Sequence, residues 1–219
     1  MKRLAKILSV ALASFLATLF IFAAPAQAAA PPPGYPTSEI MAQVKNSKYG
    51  TIPIRRGFYD SATNKGWGMD KAWHKHNLRS LKAQTVLVKS PNGTKQGNGN
   101  IDLKTYAGKY KCDKNKICKL EKQQLVHAIY APNNADKIQG WPVGGKLGLL
   151  TAYCSNDNKA LDCANWVTYS LDNPGKNNPY AAREESTPEA PATASPLEAP
   201  NNSGELYKSS YSPLPQSIK

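Results

Sequence analysis

The densest chemistry in the sequence is Lys71-x-x-His74-Lys75-His76, in a chain with 28 Lys and Arg against 15 Asp and Glu. Cations and imidazoles at this spacing can hold a phosphodiester and move protons around it, because an imidazole pKa near ~6.5 suits both a base and an acid at neutral pH. Lys75 and Arg79 add charge for substrate binding. A third histidine, His127, sits in Leu125-Val126-His127-Ala128-Ile129, where strand alternation puts it on the side of Leu125 and Ile129. Thr151 and Tyr153 place a hydroxyl and a phenol on one face of a late strand, a pair able to orient a phosphate and a base. The plainer alternative makes His76 a hydrogen-bonded core histidine, the lysines a solvated face, His127 a half-buried strand residue, and Thr151 and Tyr153 packing groups. On a helix, His74 and His76 diverge by about 200° and cannot chelate one ion. Neither a metal nor a cofactor is expected.

These side chains need a scaffold to position them. Met69, Ala72, Trp73 and His76 recur at spacings of three and four, which predicts one helix over 69–79 after Gly66-Trp67-Gly68. His76 then looks toward the core or the sheet surface, while Lys71, His74 and Lys75 fan around the solvent side. Apolar and β-branched runs at 84–88, 101–111, 117–130, 146–153 and 166–170 read as strands, and 90–100, with Asn92-Gly93, as a turn-rich tract. The expected fold is α+β: one main helix on an antiparallel sheet of four to five strands.

Lys2, Arg3 and Lys6 precede an apolar run from Ile7 to Ala24 that ends in Ala26-Gln27-Ala28. This order is that of an export signal, so 1–28 is read as a signal peptide cut after Ala28. The alternative is an uncleaved anchor, since the run approaches the ~20 residues of a span. The small-x-small site and Pro31-Pro32-Pro33 favour cleavage, and with no other spanning stretch the mature protein is expected to be secreted, with no stable membrane insertion. Four cysteines in an exported chain imply two disulfides with three possible connectivities. Cys112 with Cys118 and Cys154 with Cys163 is the expected pattern, because each pair closes a short polar segment between apolar runs. A four-cysteine zinc site is the rival, and it lacks C-x-x-C spacing.

Proline-rich composition marks 29–39 as a leader and 177–219 as a disordered tail around a basic domain at 40–176. The domain holds 22 Lys and Arg against 9 Asp and Glu, whereas the tail holds 3 against 5. A chain of this length leaves room for one ordinary domain, which excludes a multidomain enzyme.

Gly66-Trp67-Gly68-Met69-Asp70-Lys71 leading to Lys75-His76, with a late strand ending Thr151-Ala152-Tyr153, resembles the barnase/EndoU/colicin/RelE-like ribonucleases of secreted bacterial toxins. The resemblance spans residues 50–170. It implies a helix carrying Lys and His on an antiparallel sheet and RNA cleavage without metal, with Lys71 and His76 matching the helix motif and Thr151 and Tyr153 the strand motif. Cys154 stands where Pro is usual, and the disulfides are additions. The Gly-x-Gly-x-Asp-Lys and Lys-His-Asn pattern is also similar to small exported bacterial proteins that carry no assigned role.

Three functions follow as expectations. In the first, a secreted ribonuclease uses His76 with His74 or His127 for proton transfer and Lys71 for charge stabilisation. In the second, a non-enzymatic module holds a polyanion such as nucleic acid or an anionic cell-wall polymer on the same basic surface. In the third, the protein is a structural or partner-binding secreted protein. The expected partners are RNA or another polyanion and a proteinaceous inhibitor, with the chain itself a monomer. The ribonuclease reading requires His76, Lys71, Thr151 and Tyr153 to converge on one cleft.

Overall fold

The computed structural model of the chain describes residues 31–155, 161–173 and 204–219. The expected signal peptide and most of the expected tail therefore lie outside the described residues. Two antiparallel ribbons come first, β1 (Ile40–Asn46) with β2 (Gly50–Arg55) and β3 (Phe58–Asp60) with β4 (Lys65–Trp67). Helix α1 (Gly68–His76) follows β4 directly. Gly68 makes that junction possible: its φ is +79°, and a Cβ there would lie 2.8 Å from the Gly57 backbone and 2.9 Å from the Arg56 carbonyl oxygen. Asn77, left-handed at φ 57°, ends the helix, and its side-chain amide donates to the Cys163 carbonyl (2.7 Å) and to Asn165 Oδ1 (2.8 Å).

The expectation of one helix is corrected to three among the described residues. Residues 84–88 belong to helix α2 (Leu81–Val88), and 166–170 to helix α3 (Asn165–Asp172). Val86-Leu87-Val88 favours a strand locally, but the Ser80 hydroxyl caps the Ala83 N–H, and Ala83, Gln84, Leu87 and Val88 are buried along one face. Tertiary burial overrides the local preference. In α3, Val167, Thr168 and Leu171 are buried at helical spacing.

Among the described residues the main sheet has six strands, more than expected. β6 (Ile101–Cys112), β7 (Cys118–Ile138) and β8 (Trp141–Cys154) form an antiparallel meander. β5 (Gly93–Lys95) and β9 (Glu205–Ser210) both pair with β6, and β10 (Ser217–Ile218) pairs with β7. Cys112 and Cys118 lie opposite each other in register and are disulfide-bonded, as are Cys154 and Cys163. All four cysteines are thus paired, which fits an oxidising, extracellular or periplasmic setting. Among the described residues, no helix is long and apolar enough to cross a membrane.

The expected boundary at 177 lies outside the described residues, but the described parts of both flanks contribute to the fold. In the leader, Thr37 is buried and the Tyr35 hydroxyl donates to the Asp70 carboxylate, with burial and Asp70 raising the phenol pKa to about 12. At the other end Leu206, Tyr207 and Leu214 are buried. The last residues leave β9, cross the sheet and finish against β7, so 204–219 is part of the fold. A proline-rich average over the whole tail hides these few apolar residues.

The two faces of the sheet differ. Ile101, Leu103 and Ala107 of β6, with Val126, Ala128 and Tyr130 of β7, pack into the main core with Ala83, Leu87, Val167 and Leu171 of α2 and α3. By alternation, Asp102, Lys104, Tyr106, Gly108 and Tyr110 of β6 and Gln123, Leu125 and His127 of β7 belong to the outer face. Tyr110, Leu206 and Leu214 form a smaller cluster there, with Tyr106 and Leu120 packed against it.

Candidate functional site

The outer face gathers chemistry from three strands. Cross-strand register places Lys104 opposite His127, His127 opposite Tyr153, and Ile129 opposite Thr151. Asp102 sits diagonally to His127 and accepts from its Nδ1, with oxygens at 2.9 and 3.0 Å and both side chains 13% exposed. A carboxylate only accepts, so whenever the ring carries a single proton this contact holds it on Nδ1 and leaves the lone pair on Nε2. The His127 ring stacks on Tyr153, with centroids 5.2 Å apart and planes 14° from parallel.

His76 reaches the same phenol from the end of α1, which packs against β8; its ring centroid is 5.7 Å from that of Tyr153. Two imidazoles therefore flank one tyrosine. Burial, with the charge of Asp102, raises the Tyr153 pKa, so the hydroxyl stays protonated and able to donate. Beside it, the Thr151 hydroxyl oxygen is buried with no hydrogen-bond partner among the described residues.

His76 is only 2% exposed, and its Nδ1 lies 3.1 Å from the Leu161 carbonyl. Burial first, then the neighbouring Lys75 charge, lower its pKa to about 4, so the ring is neutral at pH 7. An imidazole near ~6.5, as assumed from sequence, is not the state this environment gives it. The depressed value links to stability. The unfolded chain takes up this proton below pH ~6.5 while the folded chain resists until about 4. Stability contributed by the neutral ring is complete above that window and falls on acidification through it, by about 3 kcal/mol in all. Asp70 and Asp172, whose carboxyl pKa values burial raises, act in the opposite sense, so the comparison must be with a variant. Urea midpoints measured from pH 7 to 4 should fall more steeply for the native chain than for His76→Gln; parallel curves would reject the assignment.

Lys71 is half-buried, and burial, together with Lys75, lowers its pKa. It acts electrostatically on His76, as Lys75 does. His74 is exposed beside Trp73, at 6.5 Å between centroids, and among the described residues no contact joins it to the outer-face group; Arg79 is exposed beyond the helix. Thus His76, His127, Thr151 and Tyr153 are brought together, while His74 and Arg79 stand apart. Asp102 was missed from sequence. Its signal was the alternation Ile101-Asp102-Leu103-Lys104, which sets an acid and a base on one face of a strand. Among the described residues, no group of three or more His, Cys, Asp or Glu is placed to hold a metal.

No protein-family model, curated protein or solved structure matches the chain.

Proposed function

We propose that the outer face cleaves RNA by general acid–base chemistry on the ribose 2′-hydroxyl. The observation that carries this reading is the Asp102–His127 pair at 2.9 Å, stacked on Tyr153, beside the unpartnered Thr151 hydroxyl. His127 takes the role that its spacing suggested for His76: Asp102 orients the ring, and the open Nε2 accepts the 2′-hydroxyl proton. The 2′-oxygen forms a bond to phosphorus, the bond to the 5′-oxygen breaks, and that oxygen takes a proton from solvent while the His127 imidazolium releases the one it accepted, giving a 2′,3′-cyclic phosphate end and a 5′-hydroxyl. The Tyr153 phenol keeps its proton and donates a hydrogen bond to the phosphate. Lys104, opposite His127 and without an ion-pair partner among the described residues, stabilises the added negative charge. His76 is a positioning residue that packs against Tyr153 and holds the Leu161 carbonyl. Lys71 adds positive charge near it.

The test is incubation of the full exported chain, disulfides formed, with end-labelled RNA in EDTA near neutral pH. Fragments ending in cyclic phosphate support the reading. RNA that is bound with a steep salt dependence yet stays intact over hours would reject it and leave a polyanion-binding module.

A further inference from the structure

Beside the Asp102–His127 pair, the outer face continues into an aromatic and cationic strip of which the chemistry above uses only Lys104. Tyr106 is the next outer-face residue of β6 after Lys104, so the two lie roughly 7 Å apart along the strand. Its register partners are Leu125 on β7 and Ser210 on β9. One step further, Gly108 pairs with Lys208, which shares the outer face with Leu206 by alternation. Neither Lys104 nor Lys208 has an ion-pair partner among the described residues, and Tyr106 is half-buried with no hydrogen bond to its phenol there. Beyond Tyr106 the strip is closed by the C-terminal chain. Leu214 sits on Gly108 so closely that a Cβ would collide with it, and its N–H donates to Gln123 Oε1 at 2.7 Å.

We infer that Tyr106 is a stacking platform for one nucleobase of a single-stranded nucleic acid, with Lys104 and Lys208 holding the phosphates on either side and Leu214 closing the far end. A partly exposed aromatic between two ammonium groups that lack ion-pair partners among the described residues is the arrangement by which single strands are held: stacking accepts any base, and the cations follow the backbone. A polyanion lacking bases would use the lysines alone. This subsite deepens the ribonuclease reading, since it rests on nucleic acid running along the same face.

An oligodeoxythymidylate separates the two ideas, because without a 2′-hydroxyl it binds but is not cut. Fluorescence anisotropy should show Tyr106→Leu, which keeps the apolar packing, weakening this binding by about 5- to 150-fold, while Tyr106→Trp retains it. Lys208→Gln should lower the salt slope by about 0.7. Binding of inorganic polyphosphate should respond to the lysine change and not to Tyr106→Leu. Urea midpoints check that the leucine variant is folded. Equal oligonucleotide affinity for native and Tyr106→Leu proteins would overturn the platform, as would no binding by the native protein. If Tyr106-dependent binding is found and RNA stays intact, the subsite stands and the catalytic reading falls; if RNA is cut and Tyr106→Leu changes nothing, the reverse holds.

Discussion

Replacing His127 by alanine is expected to lower RNA cleavage by about 10²- to 10⁴-fold, the range over which a positioned proton-transfer group accelerates a reaction. Binding should change far less, because one side chain out of the whole basic surface supplies only a small part of the Coulomb attraction that dominates contact with phosphate. The same substitution therefore separates catalysis from affinity. Asp102→Asn should also slow cleavage, through His127 and not by touching RNA. An amide can present its NH2 group to Nδ1, which favours the wrong tautomer and takes the lone pair from Nε2. Asp102→Glu keeps the acceptor and should recover part of the rate. Single-turnover cleavage gives the rates, and anisotropy across a salt series gives the affinities. A His127→Ala protein that cuts within twofold of the native rate would remove His127 from the mechanism. A comparable loss in His76→Gln would move the base back to the helix.

Why the proposed base is His127 and not His76 was only partly legible in the sequence. Both histidines, Thr151 and Tyr153 are recognisable by type, and alternation sets His127 on the right side of its strand. What spacing cannot supply is register. The Asp102–His127 contact depends on β6 and β7 pairing so that Asp102 faces Ile129 and Lys104 faces His127, and a slip of one residue would send His127 to the helical side. Burial is equally invisible. His76 lies on the apolar side of its helix in either reading, and its neutral state comes from burial and from the neighbouring Lys75 charge, while Leu161 meets its ring and Cys163 its backbone carbonyl next to the Cys154–Cys163 disulfide.

The scaffold divides in the same way. The β6–β7 hairpin is legible because two alternating runs flank the short turn in which Asp113 Oδ1 accepts from the Asn115 and Ile117 backbone N–H groups. Helix α2 is obscured by β-branched residues at its end, and α3 by its shortness. The place where β2 meets β8 depends on Gly148. At φ +77°, a Cβ there would collide with the Pro53 carbonyl, a long-range approach that no local pattern announces.

The largest effect on stability is expected from ending the chain after residue 203. Composition reads this tail as dispensable, but its last residues do three jobs. β9 satisfies the free edge of β6 from Tyr106 to Lys111, Leu206 and Leu214 cover Tyr110 on the outer face, and Tyr207 packs on Tyr169 of α3 with ring centroids 5.0 Å apart. Lys109 adds an ion pair to Glu205 at 2.6 Å. Burying a large apolar side chain contributes roughly 1.5–3 kcal/mol, so three such losses amount to on the order of 5 kcal/mol before the stranded edge of β6 is considered. Domains of this size hold only about 5–15 kcal/mol in total, so the shortened chain should be largely unfolded or sharply destabilised at 37 °C. Leu214→Ala alone should cost about 2–5 kcal/mol. Urea denaturation followed by circular dichroism reads both changes. Adding a peptide of residues 204–219 to the shortened chain should restore part of the transition, because strand and side chains can dock in trans on the surface they cover in cis. A shortened protein with an unchanged midpoint would mean that the sheet closes without β9 and that the C-terminal wall beside Tyr106 can be removed freely.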